Sequence, residues 1–259
     1  MRGSLCALAL ALLAALSSTA AAEILLPFRL IKLDGGTLKW GKPVLGTGAT
    51  VSYAFVEEPV FFKDARNCRT MVPMKALLAE AGVAERAFEA EVVKAFRAWS
   101  SVADIRFHKV SDADQADILI GAQADPKGRA FTNVEFEEAI SSDVKPLDKS
   151  LICLNPEQPW KLGFNGDLNV YDLRYSIAHE IGHAIGLDHP SATGQVMSYK
   201  YDEQFDTLQA GDISGAVALY GRSKFMTADP SEAISVGTAV KTAKPGRVAE
   251  RRQQTRALP

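Results

Sequence analysis

The sequence predicts one α+β domain, and three observations carry that prediction. Short runs of strand character at 51–55, 105–107, 116–120 and 151–154 are spread through the chain. Among them, 84–101 places Phe88, Val92, Phe96 and Trp99 at helical spacing. Glu85, Arg86, Glu89, Glu91, Lys94 and Arg97 fill the other positions, as a half-buried helix requires. A second helix, starting near Asp172, carries His179, Glu180 and His183 and stops at Gly186.

In chain order, 259 residues suffice for one compact domain with a sizeable core. The net charge of -2 points to neither nucleic acid nor an anionic membrane as partner of the whole molecule. Segment 1–22 has Arg2 first, an apolar run over 5–16, and small residues ending Ala20-Ala21-Ala22. That is the layout of a secretory signal peptide, cleaved after Ala22, and it implies a secreted chain, extracellular or periplasmic. The apolar run falls short of the ~20 residues a transmembrane segment needs. The expected domain is 23–221. Val51, Tyr53 and Phe55 alternate with Ser52 and Ala54 as a first strand should.

The stretch 57–82 shows no clear chemistry but carries Cys68. Once the signal is removed, Cys68 and Cys153 remain, and in an oxidising compartment a disulfide is the expectation. Two buried free thiols are the alternative. Asp172 is placed to cap the second helix, and Thr207 to cap a last one that runs to Leu219 and ends at Gly221. Segment 222–259 lacks apolar periodicity and holds Arg247, Arg251, Arg252 and Arg256. It reads as a disordered basic tail, with a weak attachment to an anionic envelope as the alternative.

The chemistry concentrates in His179-Glu180-Ile181-Gly182-His183-Ala184-Ile185-Gly186-Leu187-Asp188-His189. Residues four apart share a helix face, so His179 and His183 can serve one metal ion. Glu180 sits one step round, within reach of a water on that metal. Gly186 accepts the left-handed turn that brings His189 back as a third ligand. Three nitrogens around zinc leave the fourth position for water, which is a catalytic arrangement. Glu180 would then take the proton of the zinc-bound water and pass it to the departing amine.

This run, with Met197 in Gln195-Val196-Met197-Ser198-Tyr199, resembles the metzincin zinc peptidases and their Met-turn. Within them it is most similar to the matrixins, the matrix-metalloproteinase family and its bacterial relatives. Asp188 before the third histidine, Leu38-Lys39-Trp40-Gly41, Ala116-Asp117-Ile118, the run from Leu208 to Gly215 and Leu219-Tyr220-Gly221 extend the likeness over about 38–221.

The resemblance implies a zincin-like fold: a twisted, mixed five-stranded sheet, an active-site helix and a small C-terminal subdomain after Gly186. It places the sheet's edge strand at 128–134, where an extended polypeptide substrate can add as another strand. It makes Met197 a floor beneath the histidines and Tyr201 a wall of the substrate pocket, although Tyr199 stands where the family usually has proline. The implied activity is that of a zinc endopeptidase, expected here as a monomer.

Departures matter as well. The family's propeptide cysteine segment is missing, and Cys68 in the role of a zinc-capping cysteine is a third option for that residue. The family's second zinc needs further histidines, yet the chain has four in all and only His108 is uncommitted. Calcium is a candidate second ion, since Asn155-Pro156-Glu157 holds part of the family's ligand set. Asp143, Asp148, Asp167 and Asp172 read more simply as solvated loop acids. The rival to an enzyme is a non-catalytic zinc-binding envelope or interaction protein of the same fold.

Overall fold

The structure is a computed structural model and describes residues 27–138, 142–224 and 256–257. At the amino end come β1 (Arg29–Leu30), β2 (Lys32–Leu33), β3 (Gly36–Lys39) and β4 (Ala49–Phe55). The hairpin β5 (Val60–Phe61) and β6 (Thr70–Val72) leads to α1 (Lys75–Glu80) and the long α2 (Glu85–Val102). Then follow β7 (Ile105–Lys109), β8 (Ile118–Gln123), β9 (Ala130–Phe136) and β10 (Val144–Leu154). Short strands β11 (Trp160–Lys161) and β12 (Tyr171–Asp172) precede α3 (Leu173–Ala184). After it come β13 (Leu187–Asp188), α4 (Ala210–Tyr220) and β14 (Arg256–Ala257).

The expected five-stranded frame is present in the spatial order β7-β4-β8-β10-β9. Four strands run parallel, and β9 lies antiparallel to β10, which makes the sheet mixed. Shorter strands extend this frame: β3 joins β10, and β6 joins β8. One extension shows no alternation by which the sequence would reveal it. Between Leu33 and Gly36, Asp34 and Gly35 both take positive φ, 47° and 76°, and close the β2–β3 hairpin.

Both faces of the sheet are covered, so central β8 is buried along its whole length. On one face α2 packs Phe88, Val92 and Trp99, each of which contributes roughly 1.5–3 kcal/mol by leaving water. Helix α3 lies beside α2 on that face and is buried almost throughout. On the other face the stretch without evident chemistry has a structural task. Cys68 and Met71 from it pack against Ala54, Val56, Leu119, Leu151 and Cys153 as a second core. A disulfide joins Cys68 to Cys153, with Cα atoms 5.6 Å apart. Of the three options for Cys68 the structure holds the disulfide, and both sulfurs are excluded from capping a metal.

Two boundaries differ from expectation. Strand β10 extends back to Val144, because β3 supplies a partner for its polar first half. Helix α4 is capped by Gln209 and not by Thr207: the Gln209 side chain and Asp212 form a reciprocal capping box. Segment 1–22, read as a signal peptide, lies outside the described residues. So does 225–255, the bulk of the segment read as a disordered tail, while Arg256–Ala257 pair antiparallel with Val134 and Asn133 of β9. No described helix is long and apolar enough to cross a membrane.

Candidate active site

Helix α3 is held at both ends. At its start Asp172 accepts a hydrogen bond from Tyr175 N at 2.7 Å, which is the expected cap. At its end the orphan carbonyls find designated donors. Trp40 Nε1 and the Ser150 hydroxyl donate to Ala184 O, and the Tyr220 hydroxyl donates to Ile185 O. This gives the flanking Trp40 and Tyr220 a shared purpose: they fix where the helix stops. Gly186 follows at φ 107°, where a Cβ would fall 2.3 Å from Leu38 O, so the turn tolerates no side chain. Beyond it β13 pairs with β1, and Arg29 binds Asp188 at 2.6 Å.

That turn brings His189 back to α3. Its Nε2 lies 3.0 Å from His179 Nε2 and 3.2 Å from His183 Nε2. These three are the only group of three or more potential metal-binding side chains among the described residues. Backbone carbonyls settle two tautomers. His179 Nδ1 faces Val196 O at 2.7 Å and His183 Nδ1 faces Leu187 O at 2.8 Å. A carbonyl only accepts, so each Nδ1 carries the proton and each Nε2 offers its lone pair. Burial drives His183 down to about 3 and depresses His179 and His189 as well, which keeps the imidazoles neutral at ordinary pH. Three neutral nitrogens converging in a buried pocket suit zinc.

Glu180 is buried beside them, and desolvation raises its carboxyl to about 7, against the opposing pull of Thr132 and Arg129. Thr132 on β9 is a site residue that sequence reasoning misses. Its hydroxyl lies 2.7 Å from Glu180 Oε2 and 3.0 Å from Glu180 O, so it ties strand to helix at the carboxylate. Asp212 is another that the sequence does not single out. It accepts from Val196 N and Met197 N, both at 3.0 Å, and thereby clamps the turn that carries Met197. Met197 is buried against Gly182, whose absent side chain makes the room.

Tyr201 lies edge-on to Tyr175, one helical turn before His179, with ring centroids 4.9 Å apart. Its hydroxyl accepts from Asp172 N and donates to Glu203. Tyr199 is exposed and stands edge-on to the His189 ring. His108 lies on β7, outside the triad. The calcium expectation finds no acidic cluster among the described residues. Asn155 closes its own loop by donating to Gly128 O and accepting from Glu157 N, and Asp172 serves as a cap.

Comparison with known proteins agrees with this geometry. The matrixin family model matches residues 75–221. Mouse matrix metalloproteinase-19 is 32% identical over 166 residues, 59% of this chain and 29% of that protein. Pig interstitial collagenase is 32% identical over 136 residues, 51% of this chain and 28% of its own length. Metalloendoproteinase 1-MMP of Arabidopsis thaliana is 30% identical over 133 residues, 49% and 36% of the two chains. The aligned region thus spans roughly a third of each relative's length. With the family model covering more than half of its length and the histidine triad in place, the chain belongs to the matrixin family.

Proposed function

We propose that this chain is an exported, monomeric zinc endopeptidase that hydrolyses extended polypeptides. The observation that carries the reading is Glu180, a buried carboxyl beside three convergent imidazoles and tied to the strand that borders them. His179, His183 and His189 would hold one zinc ion, which supplies Lewis acidity and makes water a nucleophile near neutral pH. Glu180 accepts the proton of the attacking water as its oxygen bonds to the peptide carbonyl carbon. It then delivers that proton to the nitrogen as the C–N bond breaks.

The substrate lies along β9, whose outer edge has backbone groups to share. The antiparallel pairing of β14 on the same edge supports this mode of binding, and a substrate reaching that far displaces it. Tyr201 borders the pocket for the side chain just beyond the scissile bond, and Met197 forms the floor under the histidines. Export rests on the signal-like segment 1–22.

The test is cleavage of unfolded casein by the purified mature chain, with and without a zinc chelator, beside Glu180→Ala. Chelator-sensitive cleavage that disappears in a zinc-loaded variant is the expected result. A folded, zinc-loaded protein that cleaves nothing would favour the non-catalytic zinc-binding reading.

A further inference from the structure

We propose that Arg129 is a specificity determinant, which selects substrates carrying a carboxylate on the C-terminal side of the scissile bond. The inference rests on the endopeptidase reading and on substrate addition to β9. Arg129 immediately precedes that strand, and its backbone is fixed: Asn155 N donates to Arg129 O at 2.9 Å, and Asn155 Nδ2 to Gly128 O at 2.7 Å. Its guanidinium lies over the faces of Tyr171 and Tyr201, at 4.9 and 5.7 Å from the ring centroids. Beyond these aromatic contacts, it has no hydrogen bond or ion pair among the described residues. Five planar donors, the group best suited to a carboxylate, are therefore held in place and unspent.

Nearby acids are already engaged. Glu203 takes Lys161, Tyr201 Oη, Gly166 N and Asn165 N, and Asp172 takes Tyr175 N and Gly163 N. The Tyr201 hydroxyl donates to Glu203 and accepts from Asp172 N, which holds that ring beneath Arg129.

Polarity of the strand then decides which side of the substrate Arg129 meets. Thr132, at Glu180, marks the reacting position on β9. Arg129 comes three residues earlier, roughly 10 Å back along an extended chain. A substrate antiparallel to β9 runs the other way, so its residues beyond the scissile bond lie beside the beginning of the strand. Arg129 faces roughly the second or third of them. The ligand is a carboxylate, whether the side chain of Asp or Glu or the free C-terminus of a short peptide.

The experiment uses the zinc-loaded mature chain and a peptide set with mass-spectrometric mapping of the cut. Each of the first three positions after the bond carries Glu, Gln or Lys in turn, with the C-terminus amidated. A second arm ends the peptide with a free carboxylate at the same positions. The expected result for the wild type is a kcat/KM for Glu, or for the free terminus, roughly ten- to a hundredfold above that for Gln. In Arg129→Gln this ratio falls towards one, and in Arg129→Glu the preference turns to Lys, an inversion that damaged folding cannot produce. The arm that shows the preference identifies the source of the carboxylate.

Equal Glu and Gln values in the wild type, or an unchanged ratio in the variants, would overturn the proposal. Failure to cut any peptide, casein included, would instead overturn the endopeptidase reading, and this inference with it.

Discussion

Replacing Thr132 by valine removes one hydroxyl and leaves a β-branched side chain that suits a strand. The hydroxyl is 2.7 Å from Glu180 Oε2. A hydrogen bond to a charged group contributes about 1.5–3 kcal/mol, and each 1.36 kcal/mol is tenfold in rate. If the bond orients the carboxylate for proton transfer, kcat should fall roughly ten- to a hundredfold while KM changes little. The pH profile adds an independent readout. Thr132 draws the Glu180 carboxyl down while burial lifts it to about 7, so removing the hydroxyl lets the pKa rise further. A base works when ionised, so the acidic limb of kcat/KM should move to higher pH. The assay is steady-state cleavage of a quenched peptide from pH about 5 to about 9, with zinc content and a thermal melt as controls. Thr132→Ser should restore both values. A zinc-loaded, folded valine variant with wild-type kcat and an unmoved limb would refute the reasoning.

Three further outcomes are expected. The Cys68–Cys153 bridge spans 85 residues, and closing a loop of that size stabilises by at most about 4.6 kcal/mol in the chain-entropy model. The double alanine variant should therefore melt well below the wild type, and equal melting temperatures with and without reductant would count against this. Protonation should destabilise the metal-free protein. His183 titrates at about 3 when folded and 6.5 when not, so its contribution is complete above about 6.5 and is lost as pH falls towards 3. By pH 4.5 that one residue costs about 3 kcal/mol, and His179 and His189 act in the same direction. Glu180 opposes them, because its raised carboxyl is relieved over the same range, so denaturant titrations of chelated Glu180→Gln at pH about 7 and 4.5 measure the difference, and equal stabilities would exclude the buried neutral triad. Finally, Gly182→Ala would place a Cβ 2.2 Å from Met197 Sδ and 3.0 Å from Trp99 Cζ2. It should cost about 1–3 kcal/mol and weaken zinc binding, as a melt and a metal competition assay would show; wild-type values in both would mean that Met197 yields without consequence.

The sequence exposes contacts made inside one helix and hides those made between elements. The interval from His179 to His183 is one helical turn and Gly186 is a visible stop, so the triad is legible in the residue order alone. The pair Thr132 and Glu180 is separated by 48 positions and meets only because β9 packs on α3, so no local period announces it. Asp212 reaches the Met197 turn in the same way, across 15 positions. Strand β10 is legible only in its apolar half, because Lys145, Pro146, Asp148 and Lys149 interrupt the pattern while β3 still supplies a partner. Strands β5 and β6, of two and three residues, are too short to show alternation, which leaves the insertion without a visible task. Thr207 suits a cap by residue type, whereas the capping box recruits Gln209 through the buried Asp212.

The insertion and the active site meet on β9. Thr132 turns towards α3 and ties the strand to Glu180. Its neighbour Asn133 turns to the opposite face, where its Oδ1 accepts from Cys68 N at 2.9 Å. Cys68 is in turn bonded to Cys153, which pairs with Phe131 in the β9–β10 ladder. Successive residues of an extended strand point to opposite faces, so both faces of β9 are secured within two positions. Its outer edge, where β14 pairs at Asn133 and Val134, is the side on which a further strand adds. A disulfide-pinned insertion occupies the face opposite the helix. The consequence is functional as well as structural. Glu180 is positioned partly by Thr132, Thr132 by the register of β9, and that register by Asn133, Cys68 and Cys153, so the second core bears directly on where the Glu180 carboxylate points.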